Sequence, residues 1–147
     1  MAIGRIMGFD YGRKRIGIAV SDPTGTIANG LKTVAPDEIW TFLDNYLSKE
    51  KVAQFVVGYP RKMNYEPSEA VVFINPFLKK LGKKYASIPV ELVDERFTSK
   101  IAVQSMIDGG VKKKARQNKA LVDTISATLI LQSFLDRKAN LKEREKE

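Results

Sequence analysis

The chain has 147 residues, the size of one globular domain, and 44% of them are hydrophobic, which is enough to bury a core. Its 25 lysines and arginines outnumber 17 acidic residues, and the resulting formal net charge of +8 suggests an anionic partner such as nucleic acid. The absence of cysteine and histidine excludes disulfides, thiolate or imidazole metal ligands, and catalysis by a histidine base.

Five strands are predicted in chain order. The first two, at residues 3–10 and 15–21, flank the tight turn DYGRKR and form a hairpin in which Gly12 is predicted to take a positive φ. The other three are predicted at residues 30–35, 52–60 and 88–94.

Four helices are predicted from apolar residues at helical spacing. They are a helix capped by Asp37, a helix at 68–85 with a kink or break at Pro76, a helix at 98–110 capped by Thr98 or Ser99, and a helix at 118–136. An early hairpin followed by strand–helix units predicts an α/β fold: a five-stranded mixed sheet, its first three strands antiparallel, with helices on both faces. We expect one domain over residues 1–138 and a charged tail at 139–147.

No apolar run approaches the roughly 18 residues that a membrane-spanning helix needs. The N-terminus also lacks the pattern of a signal peptide. These two observations predict a cytoplasmic protein with no membrane partner.

Acidic residues stand at the ends of two predicted strands and inside the last helix. Asp10 ends the first strand, Asp94 and Glu95 end the last strand, and Asp123 lies in the final helix. Taken singly, each acid is better explained as a surface residue or a helix cap, and Asp94 as a strand end that leads into a capped helix; the three together, in the order strand, strand, helix, favour a shared site.

Asp123 is the most informative of these acids because its helix face is otherwise small and apolar. Ser126, Ala127, Ile130 and Phe134 share that face. A carboxylate there is costly without a compensating partner, and small neighbours let the helix approach the sheet closely. Asp123 would then point toward the strand ends. Converging carboxylates repel unless a cation neutralises them, and an all-oxygen ligand set suits Mg²⁺ or Mn²⁺.

Basic residues cluster beside two of these acids, where we expect them to bind backbone phosphates. One group follows Asp10 and the other precedes Asp123; they comprise Arg13, Lys14 and Arg15, and Lys112, Lys113, Lys114, Arg116 and Lys119. The alternative is that these side chains are simply solvated charges on surface loops. Arg96, next to Glu95, can pair with a carboxylate or with phosphate.

Four segments together resemble the YqgF/RuvX family over nearly the whole chain. They are GFDYGRKRIGIAVSD, VVGYP, VDERFTS and KALVDTISATLILQSFL. One departure is visible: the family has a short, glycine-containing stretch of the form NMDGSE after VVGxP, where this chain has KMNYEPSE. The resemblance therefore does not extend to the conformation of this loop or to any substrate contact it makes.

The resemblance implies an RNase H-like fold, related to the RuvC Holliday junction resolvases, and a nuclease that processes the 5′ end of pre-16S ribosomal RNA. It assigns the family's catalytic and metal-binding acids to Asp10, Glu95 and Asp123. It also implies a two-metal mechanism with Mg²⁺ or Mn²⁺, leaving a 5′-phosphate and a 3′-hydroxyl. We expect a monomer or weak homodimer that binds pre-16S RNA or branched DNA.

Two other functions stay open at this point. A phosphotransferase of the actin and sugar-kinase type begins with a similar Asp-x-Gly hairpin, but it needs two such domains around its nucleotide. A nucleic-acid-binding module without catalysis, acting with the ribosome or RNA polymerase, has no need of three acids. A metal-dependent cleavage assay distinguishes it from a nuclease.

Overall fold

Five strands form one sheet in the order β3-β2-β1-β4-β5. The computed structural model describes residues 4–60, 71–95, 109 and 118–146. The strands are β1 (Arg5–Tyr11), β2 (Ile16–Ser21), β3 (Ala28–Val34), β4 (Val52–Pro60) and β5 (Val90–Glu95). β2 is antiparallel to both β1 and β3, whereas β4 is parallel to both β1 and β5. The predicted mixed sheet, with its first three strands antiparallel, is confirmed.

Three helices lie in the described part of the chain: α1 (Ile39–Lys49), α2 (Val71–Lys84) and α3 (Lys119–Lys146). Glu38 occupies the N-cap of α1, without a side-chain hydrogen bond, so the prediction of Asp37 as the cap is wrong. Of the kink or break predicted at Pro76, the break is wrong because α2 continues through this residue. The predicted helix at 98–110 falls outside the described residues, apart from the turn at Gly109.

α3 continues to Lys146 instead of ending at Asp136. The segment DRKANLKEREK contains no glycine or proline and is rich in lysine, arginine and glutamate, which all favour helix. A run of charged residues therefore does not end this helix, and the predicted end at Asp136 is wrong. None of the described helices is long and apolar enough to cross a membrane.

The sheet has a different helix layer on each face. Met7, Phe9 and Tyr11 of β1 pack on the side of α1 and α2, as part of a cluster that includes Leu43 and Phe77. Alternate residues of the same strand lie on the other face, beneath α3, because successive side chains of a strand point in opposite directions. This arrangement confirms helices on both faces.

α3 packs unusually close to the sheet because it crosses a glycine on each of three adjacent strands: Gly8, Gly17 and Gly30. A Cβ atom added at Gly8 would lie 2.9 Å from the Leu131 Cβ, and one added at Gly30 would lie 2.7 Å from the Thr124 Cγ2. Polar side chains of α3 also bond to β3: the hydroxyls of Thr124 and Thr33 lie 2.6 Å apart. The first turns of α3 are therefore fixed over β1, β2 and β3.

The loop between β2 and β3 is held by the carboxylate of Asp22. Its Oδ1 accepts hydrogen bonds from the backbone N–H groups of Thr26 and Ile27, each at 2.8 Å, and Thr24 donates to Oδ2. The backbone hydrogen bond from Ile27, followed by the hydroxyl of Thr24, holds the pKa of Asp22 well below its usual range. The ionised carboxylate therefore stabilises the folded loop.

Asp22→Asn is expected to lower the melting temperature at pH 7 by an amount that shrinks in acid. A carboxyl group with a lower pKa in the folded state stabilises the fold above its unfolded pKa of about 3.9, and this stabilisation disappears as the pH falls toward the folded pKa. Thermal unfolding of both proteins between pH 7 and pH 3 measures the difference. A gap that does not change with pH would contradict this role for Asp22.

Candidate active site

Asp10 lies near the carboxyl end of β1, on the face of the sheet covered by α3. It is paired with Gly17 of β2 and shares its strand face with Ile6 and Gly8. Asp10 is half-buried. The parallel strands β4 and β5 end at the same edge of the sheet, so the three carboxyl ends meet there.

Asp123 lies directly above Gly17, the β2 residue that is paired with Asp10. A Cβ atom at Gly17 would lie 2.1 Å from the carbonyl oxygen of Asp123 and 3.2 Å from its Cβ. Only the missing side chain at Gly17 allows this approach. The structure therefore brings the strand acid Asp10 and the helix acid Asp123 to neighbouring positions. The close approach of this helix, expected from its small residues, is confirmed.

Glu95 is the last residue of β5 and is paired with Pro60 of β4. Position 95 is two residues beyond Val93, which belongs to the apolar cluster under α3. Strand alternation thus assigns position 95 to the sheet face of Asp10 and position 94 to the opposite face. Asp94 is exposed. This alternation is the physical distinction between the two acids that the sequence left open.

Arg15 makes an ion pair with Asp123. Its Nε donates to the Oδ2 of Asp123 at 2.5 Å, and the side chains are 35% and 20% exposed. The sequence predicted phosphate as the partner of Arg15, whereas the structure gives this guanidinium a carboxylate from the last helix. Among the described side chains, no group of three potential metal ligands is found.

The other cations of the hairpin turn have different surroundings. The guanidinium of Arg13 lies 4.0 Å from the ring centroid of Phe73, and both Arg13 and Lys14 are exposed. Phe73 was missed in the sequence because nothing local signals a contact between α2 and this turn. The cluster Arg13–Arg15, predicted as one group, thus divides into one paired and two exposed cations.

Gly12 closes the turn, but not through a positive φ. Among the described residues that conformation belongs to Gly4 and Gly25, so the prediction for Gly12 is wrong. Its N–H donates to the carbonyl of Arg15 at 2.8 Å, and a Cβ there would lie 2.7 Å from the same oxygen. Glycine is required for this close approach, which fixes the backbone of Arg15.

The start of α3 carries one more predicted cation, Lys119, which is exposed. The side chain of Asn118 caps the helix by accepting hydrogen bonds from the N–H groups of Ala120 and Leu121, at 3.0 and 3.3 Å. The remaining predicted phosphate-binding residues lie outside the described residues; they are Arg96, Lys112, Lys113, Lys114 and Arg116.

A family model described as "RuvX: Holliday junction resolvase" matches residues 4–137. The chain belongs to this family. A RuvX relative from Bacteroides thetaiotaomicron is 53% identical over 136 residues, covering 92% of this chain and 99% of the relative. Another, from Christiangramia forsetii, is 55% identical over 133 residues, covering 90% and 98%. Both carry the name "Putative pre-16S rRNA nuclease". The resemblance inferred from the sequence is confirmed.

Solved structures establish the fold of this RuvX chain. RuvC of Thermus thermophilus, in complex with a Holliday junction substrate, superimposes with a TM-score of 0.54 at 18% identity, covering 91% of this chain and 96% of RuvC. A second Thermus thermophilus RuvC structure gives a TM-score of 0.50 at 17% identity, covering 92% and 96%. The expected RNase H-like fold is therefore confirmed.

Proposed function

We propose that this protein is a nuclease that hydrolyses phosphodiester bonds and processes the 5′ end of pre-16S ribosomal RNA. Its membership of the RuvX family and the names of its relatives support this reaction. The observation that carries the proposal is the close contact of Asp123 with Gly17, the β2 residue paired with Asp10. This contact supports a site in which two acidic residues lie near the edge where β1, β4 and β5 end, and we expect a polyanion to dock there on this basic protein.

The residues at this edge fit a divalent cation. Asp10 and Asp123 offer only oxygen donors, which suit Mg²⁺ or Mn²⁺. Both are half-buried, and Asp123 already binds a positive charge, that of Arg15. Asp10 and Asp123, with Glu95 by its strand position, would hold the metal. A bound Mg²⁺ or Mn²⁺ supplies a lowered pKa of water and stabilisation of the leaving oxygen.

The protein's own contribution is to position the substrate. Asp10 is fixed by the β1–β2 pairing, and Asp123 by the contact of α3 with Gly17. Arg13 and Lys14 are exposed beside Asp10, and Lys119 is exposed one turn before Asp123, so all three can contact backbone phosphates. Arg96 and the basic segment 112–116 would extend this phosphate-binding surface. Cleavage is expected to leave a 5′-phosphate and a 3′-hydroxyl.

Branched DNA is the second candidate substrate. The family model is described as a Holliday junction resolvase, and RuvC shares the fold. Incubation with Mg²⁺ or Mn²⁺ and labelled pre-16S RNA or four-way DNA junctions, in parallel, tests both substrates. Metal-dependent cleavage of the RNA at its 5′ side supports the proposal, cleavage of the junction alone supports the second candidate, and cleavage of neither leaves a binding module.

Changing Lys112, Lys113 and Lys114 together to alanine is expected to weaken nucleic-acid binding equally for all sequences. Each lost phosphate contact on a single strand reduces the slope of log K against log salt by about 0.7, so the slope should flatten by roughly two. Binding titrations across salt concentrations provide the measurement. A matched triple change of Lys79, Lys80 and Lys83, exposed on α2, should leave the slope nearly unchanged. Equal effects of both triple changes would assign no special role to the basic segment.

The organisation of the chain follows the same proposal. We infer one nuclease domain over residues 1–138, which is supported by a family match that ends at residue 137. The remaining residues, 139–147, would form a charged appendage, most of it a continuation of α3. We infer a monomer or weak homodimer that works in the cytoplasm, where ribosomal RNA is processed.

A further inference from the structure

The ion pair between Arg15 and Asp123 joins two parts of the proposed site that are distant in sequence. Arg15 immediately precedes β2, and its carbonyl is fixed by the N–H of Gly12. Its side chain extends from this fixed backbone to the Oδ2 of Asp123 on α3. The fold therefore holds the backbone at both ends of the pair. This distinguishes it from an ion pair between two mobile surface side chains.

A guanidinium in this position offsets part of the repulsion between two acidic residues. Asp10 and Asp123 occupy neighbouring positions, and carboxylates brought together repel unless a cation stands between or beside them. Arg15 supplies one unit charge, whereas a divalent ion would supply two. A metal ion bound to Asp123 would also lie next to a fixed positive charge. Two cations at one carboxylate repel each other, so Arg15 and the metal compete for it.

We propose that Arg15 is a positioning residue that holds Asp123 in the metal-free protein and is displaced from it when a divalent ion binds. This inference rests on the proposed metal-dependent nuclease function. Metal binding and the release of Arg15 are then one event. The released guanidinium, already 35% exposed, is free to bind a substrate phosphate, for which its planar pair of N–H donors is well suited.

Metal binding by the protein alone tests the competition. We expect Arg15→Gln to bind Mn²⁺ about threefold to tenfold more tightly than the wild type, since a competing charge is removed. Arg13→Gln is the matched control, because Arg13 carries the same charge in the same turn but lies against Phe73. It should change the affinity less than twofold. The concentration of free Mn²⁺ is measured by electron paramagnetic resonance during a titration. Unchanged or weaker binding by Arg15→Gln, or an equal gain in Arg13→Gln, would overturn the proposal.

A second measurement follows metal binding in the wild-type protein itself. The Nε–H resonance of Arg15 in the wild type, assigned with Arg15→Lys, should shift when Mg²⁺ saturates the protein, whereas that of Arg13 should not. An Arg15 resonance that does not move while Mg²⁺ binds would show that the pair stays closed and would reject the displacement.

The failure of this proposal can be distinguished from a failure of the proposed function. Asp10→Asn tests the metal site directly, without involving Arg15, and should abolish most Mn²⁺ binding. If the wild type binds no divalent ion, both proposals are rejected. If the wild type binds the ion and cleaves RNA but Arg15→Gln gains no affinity, only the role of Arg15 is rejected.

Discussion

Asp10→Asn is expected to reduce nuclease activity by about 10³-fold or more while leaving the fold intact. Asparagine keeps the shape of the side chain opposite Gly17 but removes the negative charge that a divalent ion requires. Losing several kcal/mol of transition-state stabilisation corresponds to this factor, since each 1.36 kcal/mol changes a rate tenfold. Initial rates on labelled pre-16S RNA, together with thermal unfolding, provide the measurement.

Asp94→Asn is the matched control for that experiment. Asp94 is also a strand-end aspartate, but it is exposed and its strand position assigns it to the other face of the sheet. Most activity should be retained in this variant. Full activity in Asp10→Asn would reject the catalytic assignment, and an equal loss in Asp94→Asn would mean that strand alternation does not select the catalytic acid.

Much of the fold is local and was therefore predictable. The hairpin at the start of the chain, the short apolar run that forms β4 and the helical spacing in α1 each depend on neighbouring residues. The placement of Asp123 toward the sheet was also predictable. A carboxylate among Ser126, Ala127 and Ile130 costs free energy unless it reaches a compensating partner. Gly17 could have been found by the same reasoning: a glycine inside a buried strand indicates the close approach of another backbone.

Long-range partners were not predictable from the pattern. Arg15 and Asp123 are 108 residues apart, and nothing near either residue specifies the other. The cluster of cations after Asp10 suggested phosphate for all three, since composition cannot tell which side chain meets a carboxylate first. Gly12 was assigned a positive φ because tight turns often need one, whereas this turn needs the space for the carbonyl of Arg15.

Gly17→Ala is expected to be among the most damaging small substitutions in the chain. The added Cβ would lie 2.1 Å from the carbonyl oxygen and 2.5 Å from the carbonyl carbon of Asp123. Both atoms belong to the helix backbone, so no side-chain rotation relieves the clash and α3 must move away from β2. Overpacking of this kind costs about 1–3 kcal/mol, which corresponds to a melting temperature lower by roughly 2–12 °C in a chain of this size. Because Asp123 moves with the helix, cleavage should fall more than stability alone explains.

Gly82→Ala isolates the effect of position from the effect of losing a glycine. A Cβ at Gly82, which lies inside α2, meets no atom within 4 Å. Alanine there should stabilise the protein by about 0.5–1 kcal/mol, because alanine favours helix over the unfolded chain. Unfolding curves and cleavage rates at a temperature where all three proteins are folded separate the two effects. A Gly17→Ala protein that melts and cleaves like the wild type would mean that α3 does not rest on β2 at this point, and Asp123 would lose its place opposite Asp10.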